Sequence, residues 1–131
     1  MNADERAVTI LLVEDNVDSR VIMQAWLEHA GYRVLLATDG FAGLALARET
    51  RPDVILMDVA MPGMDGWDAA ARLKSHPRTK SIPIIALTAL ALPDDRHRAR
   101  DAKFDGYLAK PVALSRVVEE VQRVLQHVLG A

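Results

Sequence analysis

Apolar residues recur along the chain in short, unbroken runs, each closing on a polar residue. Ala7-Val8-Thr9-Ile10-Leu11-Leu12-Val13 stops at Glu14-Asp15-Asn16, Tyr32 to Ala37 at Thr38-Asp39, Val54-Ile55-Leu56-Met57 at Asp58, and Pro83-Ile84-Ile85-Ala86-Leu87 at Thr88. Continuous apolar character at this length, rich in β-branched residues, is the pattern of strands buried on both faces. A shorter run, Gly106-Tyr107-Leu108-Ala109, predicts a fifth strand leading to Lys110-Pro111.

Between the runs the periodicity turns helical. Asn16 predicts an N-cap for a first helix through about Ala30, with Ile22, Met23, Trp26, Leu27 and Ala30 on one face and Gly31 as its stop. Thr38-Asp39-Gly40 opens a second helix whose Phe41, Leu44, Ala45 and Ala47 are expected to face the sheet, ending before Pro52. Asp65 caps a third through Trp67, Ala70, Ala71 and Leu73, which breaks at Ser75-His76-Pro77. Pro93-Asp94-Asp95 marks the start of a basic fourth helix carrying Arg96, Arg98, Arg100 and Lys103. In the fifth, Leu114, Val117, Val118, Val121 and Leu125 mark one apolar stripe. Strands alternating with helices favour a parallel sheet joined by right-handed crossovers, a doubly wound α/β sandwich.

Composition narrows the function. At 131 residues one domain is expected, and 16 Lys+Arg against 18 Asp+Glu give a formal charge of -2, with no basic footprint for direct nucleic-acid binding. Cysteine is absent, which excludes disulfides, thiolate metal sites and a cysteine nucleophile and fits the cytoplasm. The polar opening Met1-Asn2-Ala3-Asp4-Glu5-Arg6 lacks the pattern of an export signal, and the apolar runs fall well short of the ~20 residues that cross a bilayer. No membrane insertion is expected.

The carboxyl ends of the predicted strands bring Glu14-Asp15, Asp58, Thr88 and Lys110 to one edge, where open α/β sheets bind ligands. After Asp58, Pro62 and Gly63 force a loop. Carboxylates gathered in one crevice repel each other unless a cation or the lysine compensates. An oxygen-rich, sulfur-free set of this kind suits Mg²⁺ and a phosphate group. Asp58 could serve as a phosphoryl-accepting nucleophile, with Mg²⁺ and Lys110 neutralising the transferred group and the Thr88 hydroxyl donating to a third oxygen.

Four blocks, Val13-Glu14-Asp15-Asn16, Met57-Asp58-Val59-Ala60-Met61-Pro62-Gly63-Met64-Asp65-Gly66, Leu87-Thr88-Ala89 and Asp105-Gly106-Tyr107-Leu108-Ala109-Lys110-Pro111, resemble the signature blocks of bacterial response-regulator receiver domains. The likeness runs from about Val8 to Val128, with the blocks in the family's order. It implies a flavodoxin-like, CheY-like sheet of order 2-1-3-4-5 flanked by five helices, in a single receiver domain over 1–131 with its core at about 8–128 and no output domain. It makes Asp58 the phosphoacceptor, Asp15 a direct Mg²⁺ ligand, Glu14 a ligand through water, and Ala60 a ligand through its backbone carbonyl. Lys110 would bind the phosphoryl group, and Thr88 and Tyr107 would be the switch pair. The Lys110-Pro111 bond matches one that is cis in the family. The implied partners are a sensor histidine kinase or histidine phosphotransfer protein and a downstream protein bound at the face between the fourth and fifth predicted helices.

The chain also departs from the family. Ala60 and Leu90 occupy positions where many relatives carry longer polar side chains that influence the life of the phosphate, and Lys103 stands where glycine commonly ends the fourth helix. Taken singly, Asp58 reads as a turn or cap, Glu14-Asp15 as a solvated turn, and Lys110 as a surface lysine; their convergence overturns those readings. Tyr107 could equally pack against the last helix. His29, His76, His97 and His127 read as surface residues, and the basic fourth helix as a solvated face unless an acidic partner uses it. Core packing is the default for Trp67, with Met64 beside it as a candidate partner contact. An aspartate-nucleophile phosphohydrolase is disfavoured by Ala60, where such enzymes carry an acid. A docking module that is never phosphorylated has no reason to collect repelling carboxylates, and a receiver excised from a hybrid kinase remains an alternative origin.

Overall fold

Each apolar run forms a strand, and the strands align in parallel. The computed structural model describes residues 7–88 and 104–130. In chain order these give β1 (Thr9–Val13), α1 (Val17–His29), β2 (Arg33–Ala37), α2 (Gly40–Thr50), β3 (Val54–Asp58), α3 (Gly66–Ser75), β4 (Ile84–Thr88), β5 (Gly106–Ala109) and α4 (Leu114–Gly130). The sheet order is β2-β1-β3-β4-β5, every pairing parallel, as the resemblance implied. The predicted basic helix, with Arg96, Arg98, Arg100 and Lys103, lies outside the described residues, as do Leu90 and His97.

Strand alternation divides the interior into two cores. Leu11, Val13, Ile55, Met57 and Ile84 point to one face and meet Leu44 and Ala47 of α2 and Ala70 and Leu73 of α3. Ile10, Leu12, Leu56, Ile85 and Leu87 point to the other, against Met23 and Leu27 of α1 and Val117, Val121 and Val124 of α4. The period of two that sends neighbours to opposite faces requires apolar residues at every central-strand position, which is why the runs are unbroken.

The caps form as their residues predict. Asn16, Asp39 and Asp65 each accept from a backbone N–H three residues on, at 2.8–2.9 Å. Gly31 ends α1 at φ 101, with Gly31 N–H donating to Glu28 and Tyr32 N–H to Leu27, the two bonds of a Schellman turn.

Three expected faces need correction. Ile22 and Trp26 are 54% and 39% exposed: one residue per turn of α1, Met23 then Leu27, is buried against the sheet, and the other two face outward. Phe41 is 62% exposed and Ala45 is also outside, because Gly40, Gly43, Leu44 and Ala47 form the buried stripe of α2. Ala30 and Ala71 are exposed too, while Ala69 and Val124, not singled out by periodicity, are fully or almost fully buried. Met64 and Trp67 are both buried, which makes them core rather than partner contacts.

Candidate functional site

In this strand order, β1 is followed by β2 on one side of it and paired to β3 on the other, so the crevice beyond the carboxyl ends of β1 and β3 is the topological switch point. Asp58 is the last residue of β3 and is only 4% exposed. Its Oδ1 accepts from the Ala60 N–H at 2.8 Å and its Oδ2 from Lys110 Nζ at 2.6 Å. The loop that carries Ala60 away turns through Gly63 at φ 82, a conformation costly for any residue with a Cβ.

Glu14 follows β1 directly and is completely buried. Its Oε1 accepts from Lys110 Nζ at 3.1 Å, and its Oε2 from the Asn16 N–H at 3.2 Å. Asp15, beside it, is exposed. One carboxylate oxygen from each of Glu14, Asp15 and Asp58 falls within 4.8 Å of the others. Lys110, reaching over from the end of β5, is the cation that bridges Glu14 and Asp58.

The electrostatics follow from this crowding. Burial first, and then Asp58, push the Glu14 carboxyl above the ordinary range, against the opposing hydrogen bonds from Lys110 and Asn16. For Lys110, burial is the largest single influence and disfavours the ammonium, yet the bonds and attraction to Asp58 and Glu14 together outweigh it and raise the pKa. Lys110 thus stays charged, and the acids still outnumber it. The donor set is entirely oxygen, and a hard divalent cation suits the remaining negative charge.

Thr88, the last residue of β4, is 1% exposed and pairs in register with Ala109. Its carbonyl accepts from the Lys110 N–H at 2.7 Å, so Thr88 and Lys110 are held together by backbone at the same edge. Tyr107 is half-buried and packs against Val59, Trp67 and Ala86, where Trp67 also meets Phe104 edge-on at 5.5 Å between ring centroids. The Tyr107 N–H donates to Glu120 of α4 at 3.1 Å. Lys110-Pro111 is cis.

The strand ends therefore bring Glu14, Asp15, Asp58, Thr88 and Lys110 to one edge of the sheet, with Ala60 bonded to Asp58 and Tyr107 a short way back along β5. Sequence pattern did not reveal Asn16 as a donor to Glu14, or Arg20, whose Nη1 donates to the Glu14 carbonyl at 3.0 Å. Both serve the site through groups that carry no motif. His29 and His127 are exposed as expected.

A parallel sheet of this order with an acidic switch-point cluster and a lysine from its last strand defines a receiver domain. Residues 10–122 match the response regulator receiver domain family, and the chain belongs to it. It is 34% identical over 117 residues to the polar-differentiation response regulator DivK of Brucella anthropi, across 89% of this chain and 95% of that protein. The receiver domain of a sensor histidine kinase from Pseudomonas aeruginosa, solved with a magnesium ion coordinated in its active-site cleft, is 39% identical. Its TM-score is 0.82, with 95% of this chain and 99% of that one covered. The chemotaxis protein CheY4 of Vibrio cholerae gives a TM-score of 0.86 at 32% identity over 90% of this chain and 98% of its own. The family is one of phosphorylation-dependent signalling switches in two-component systems. Among the described residues, no helix is long and apolar enough to cross a membrane.

Proposed function

We propose that Asp58 is the phosphoacceptor, taking its phosphoryl group from a phosphohistidine on a sensor kinase or histidine phosphotransfer protein in the cytoplasm. The observation that carries this reading is the pairing of a buried Asp58 with Lys110 at 2.6 Å beside two further carboxylates. A carboxylate oxygen of Asp58 attacks phosphorus, the P–N bond to the imidazole breaks with its electron pair going to nitrogen, and an acyl phosphate results. No general base is needed, because the ionised carboxylate already presents a lone pair. The Ala60 N–H orients Asp58, and the ammonium of Lys110 neutralises an oxygen of the arriving group. The Thr88 hydroxyl then turns to the phosphoryl group and Tyr107 follows. Mg²⁺, held by Asp15, Asp58 and the Ala60 carbonyl and by Glu14 through water, would neutralise further charge on the transferred oxygens.

An open groove of about 620 Å³ beside Glu14 and Lys110, lined by Ile22, Met23, Val112 and Leu114, is where the donor protein rests. The exposed Ile22 lies on its wall, and the groove reaches Glu14 and Lys110, the latter bonded to Asp58. Output is a change in protein contacts, and the chain catalyses only its own phosphorylation and dephosphorylation. The test is intact-protein mass after incubation with acetyl phosphate, with and without Mg²⁺. Wild type is expected to gain one phosphoryl group only with Mg²⁺, and Asp58→Asn to fold normally and gain none. Labelling of that variant would mean a different nucleophile.

A further inference from the structure

Arg20 sits one turn into α1, where nothing in the sequence singles it out. Its Nη1 donates to the carbonyl of Glu14 at 3.0 Å and, more weakly, to that of Asp15 at 3.4 Å. These carbonyls belong to the connection between β1 and α1, which consists of Glu14, Asp15 and Asn16. Its two ends are fixed by other means. Glu14 N–H donates to Ala37 at 3.0 Å, and Asn16 both donates to the Glu14 carboxylate and caps α1 through Ser19. Asp15 lies between these anchors, exposed, with its carboxylate near those of Glu14 and Asp58. Because a peptide group is planar, fixing the carbonyls on both sides of the Asp15 nitrogen and carbon fixes the direction of its Cα–Cβ bond.

We propose that Arg20 is a positioning residue for the cation site: its guanidinium clamps the Glu14 and Asp15 carbonyls and so holds the Asp15 carboxylate over the crevice. This rests on the reading of that crevice as a Mg²⁺ site. Two effects of Arg20 oppose each other, and their signs differ. Its positive charge repels a cation, so that removing it would tighten binding; its clamp preorganises a ligand, so that removing it weakens binding. Around the exposed Asp15 the charge effect is screened by water and salt. Groups that orient a metal ligand are commonly worth ten- to a hundredfold in affinity. The clamp is the larger effect.

Calorimetric titration of the full chain with MgCl₂ decides the matter, run on wild type, Arg20→Met, Arg20→Lys and Asp15→Asn, beside urea unfolding without metal. Arg20→Met is expected to bind Mg²⁺ roughly tenfold more weakly, with its metal-free unfolding midpoint little changed. Arg20→Lys keeps the repelling charge but lacks the rigid guanidinium that holds both carbonyls, so it too is expected to bind Mg²⁺ more weakly than wild type. Acetyl phosphate labelling of Arg20→Met should need more Mg²⁺ for half its maximal rate while reaching the wild-type rate at saturation. Mg²⁺ binding by Arg20→Met as tight as wild type or tighter overturns the proposal. So does a loss of affinity that merely parallels lost metal-free stability. A wild type that binds no Mg²⁺ and matches Asp15→Asn would instead remove the cation site itself, and the clamp with it.

Discussion

Replacing Gly66 by alanine tests whether α3 and the strand that ends in Asp58 are as closely joined as the structure requires. A Cβ built on Gly66 would lie 2.5 Å from Val59 Cα and 2.6 Å from the Asp58 carbonyl oxygen. Ordinary contacts between carbons begin near ~3.5 Å, so the overlap is about 1 Å. The atoms it meets are backbone, which has no rotamer through which to yield. Relief requires either the start of α3 to lift, loosening the Gly66 N–H bond to Val59 at 3.1 Å, or the end of β3 to move. Overpacking typically costs about 1–3 kcal/mol and a lost hydrogen bond about 1 kcal/mol. The helix preference for alanine offsets at most ~1 kcal/mol of this. The net loss is about 1–4 kcal/mol, a fall in Tm on the order of 10 °C at the middle of that range for a domain of this size. The second effect is on chemistry: moving Asp58 by a fraction of an ångström away from Lys110 should slow acetyl phosphate labelling at least tenfold, since misplacement near 1 Å can cost ~100-fold. Gly31→Ala is the control, because its φ of 101 strains any L-residue while nothing lies within 4 Å of the new Cβ. It should lose stability, with labelling unchanged. Urea unfolding of Gly66→Ala within ~0.5 kcal/mol of wild type would refute the steric argument. Full destabilisation with a wild-type labelling rate would refute its transmission to Asp58.

Lys110→Met leaves the buried Glu14 and Asp58 without their shared cation and is expected to cost roughly 2–3 kcal/mol in urea unfolding at neutral pH, less than for a fully trapped charge because Glu14 can protonate. The same variant should bind Mg²⁺ more tightly by calorimetry while labelling more slowly, and weaker binding would show that Lys110 does not repel the cation. Glu120→Gln tests pH linkage. The Arg123 hydrogen bond chiefly, helped by the Tyr107 N–H, holds the Glu120 pKa below its ordinary 4.5. Its stabilisation is therefore complete above that value and is lost as pH falls through the lowered folded pKa. A gap of about 1 kcal/mol from wild type at pH 7, given an exposed Arg123, should close as the pH is taken well below 4.5, and a gap that persists in strong acid would contradict the assignment. Thr88→Val should still accept phosphate but lose the phosphorylation-dependent change in hydrogen exchange along Gly106–Ala109; an unchanged response would remove Thr88 from the switch.

Features of the fold that depend on local chemistry were legible in the sequence. The central strands had to be continuous apolar runs because both faces are covered, and Asn16, Asp65 and Gly31 declared the ends of helices through their own side chains or the lack of one. The site was legible for the same reason: Glu14, Asp58, Thr88 and Lys110 each close a strand, so naming the strands placed the residues. What depends on the flank of a helix was not. Ile22 and Trp26 share helical spacing with Met23 and Leu27, and only the actual packing of α1 shows that they are exposed, Ile22 on the wall of a groove, instead of filling a core. Long-range polar pairs were equally hidden, because an arginine such as Arg20, or a buried glutamate such as Glu120, looks in sequence like any solvated charge on a helix.

Charge at the crevice also bears on which side of the sheet the proposed phosphorylation of Asp58 would reach. Three carboxylates against Lys110 leave the cluster formally two charges negative, which a divalent cation cancels. Converting Asp58 from a carboxylate into an acyl phosphate of roughly two negative charges restores one of them. That new charge falls beside Lys110 Nζ, whose attraction was divided between Asp58 and Glu14. Lys110 is tied by its own N–H to the carbonyl of Thr88, and three residues back, on β5, the Tyr107 N–H is tied to Glu120, itself paired with the exposed Arg123 of α4. Polar groups thus run from Asp58 to an exposed arginine across the β4–β5 edge. On the opposite side, β1 meets β2 through its ladder and the apolar Leu35, Leu36 and Ala37, which offer a new charge nothing to attract. The connected polar groups therefore lie on the β5 and α4 side of the sheet, the side that would respond to the phosphorylation of Asp58 proposed above.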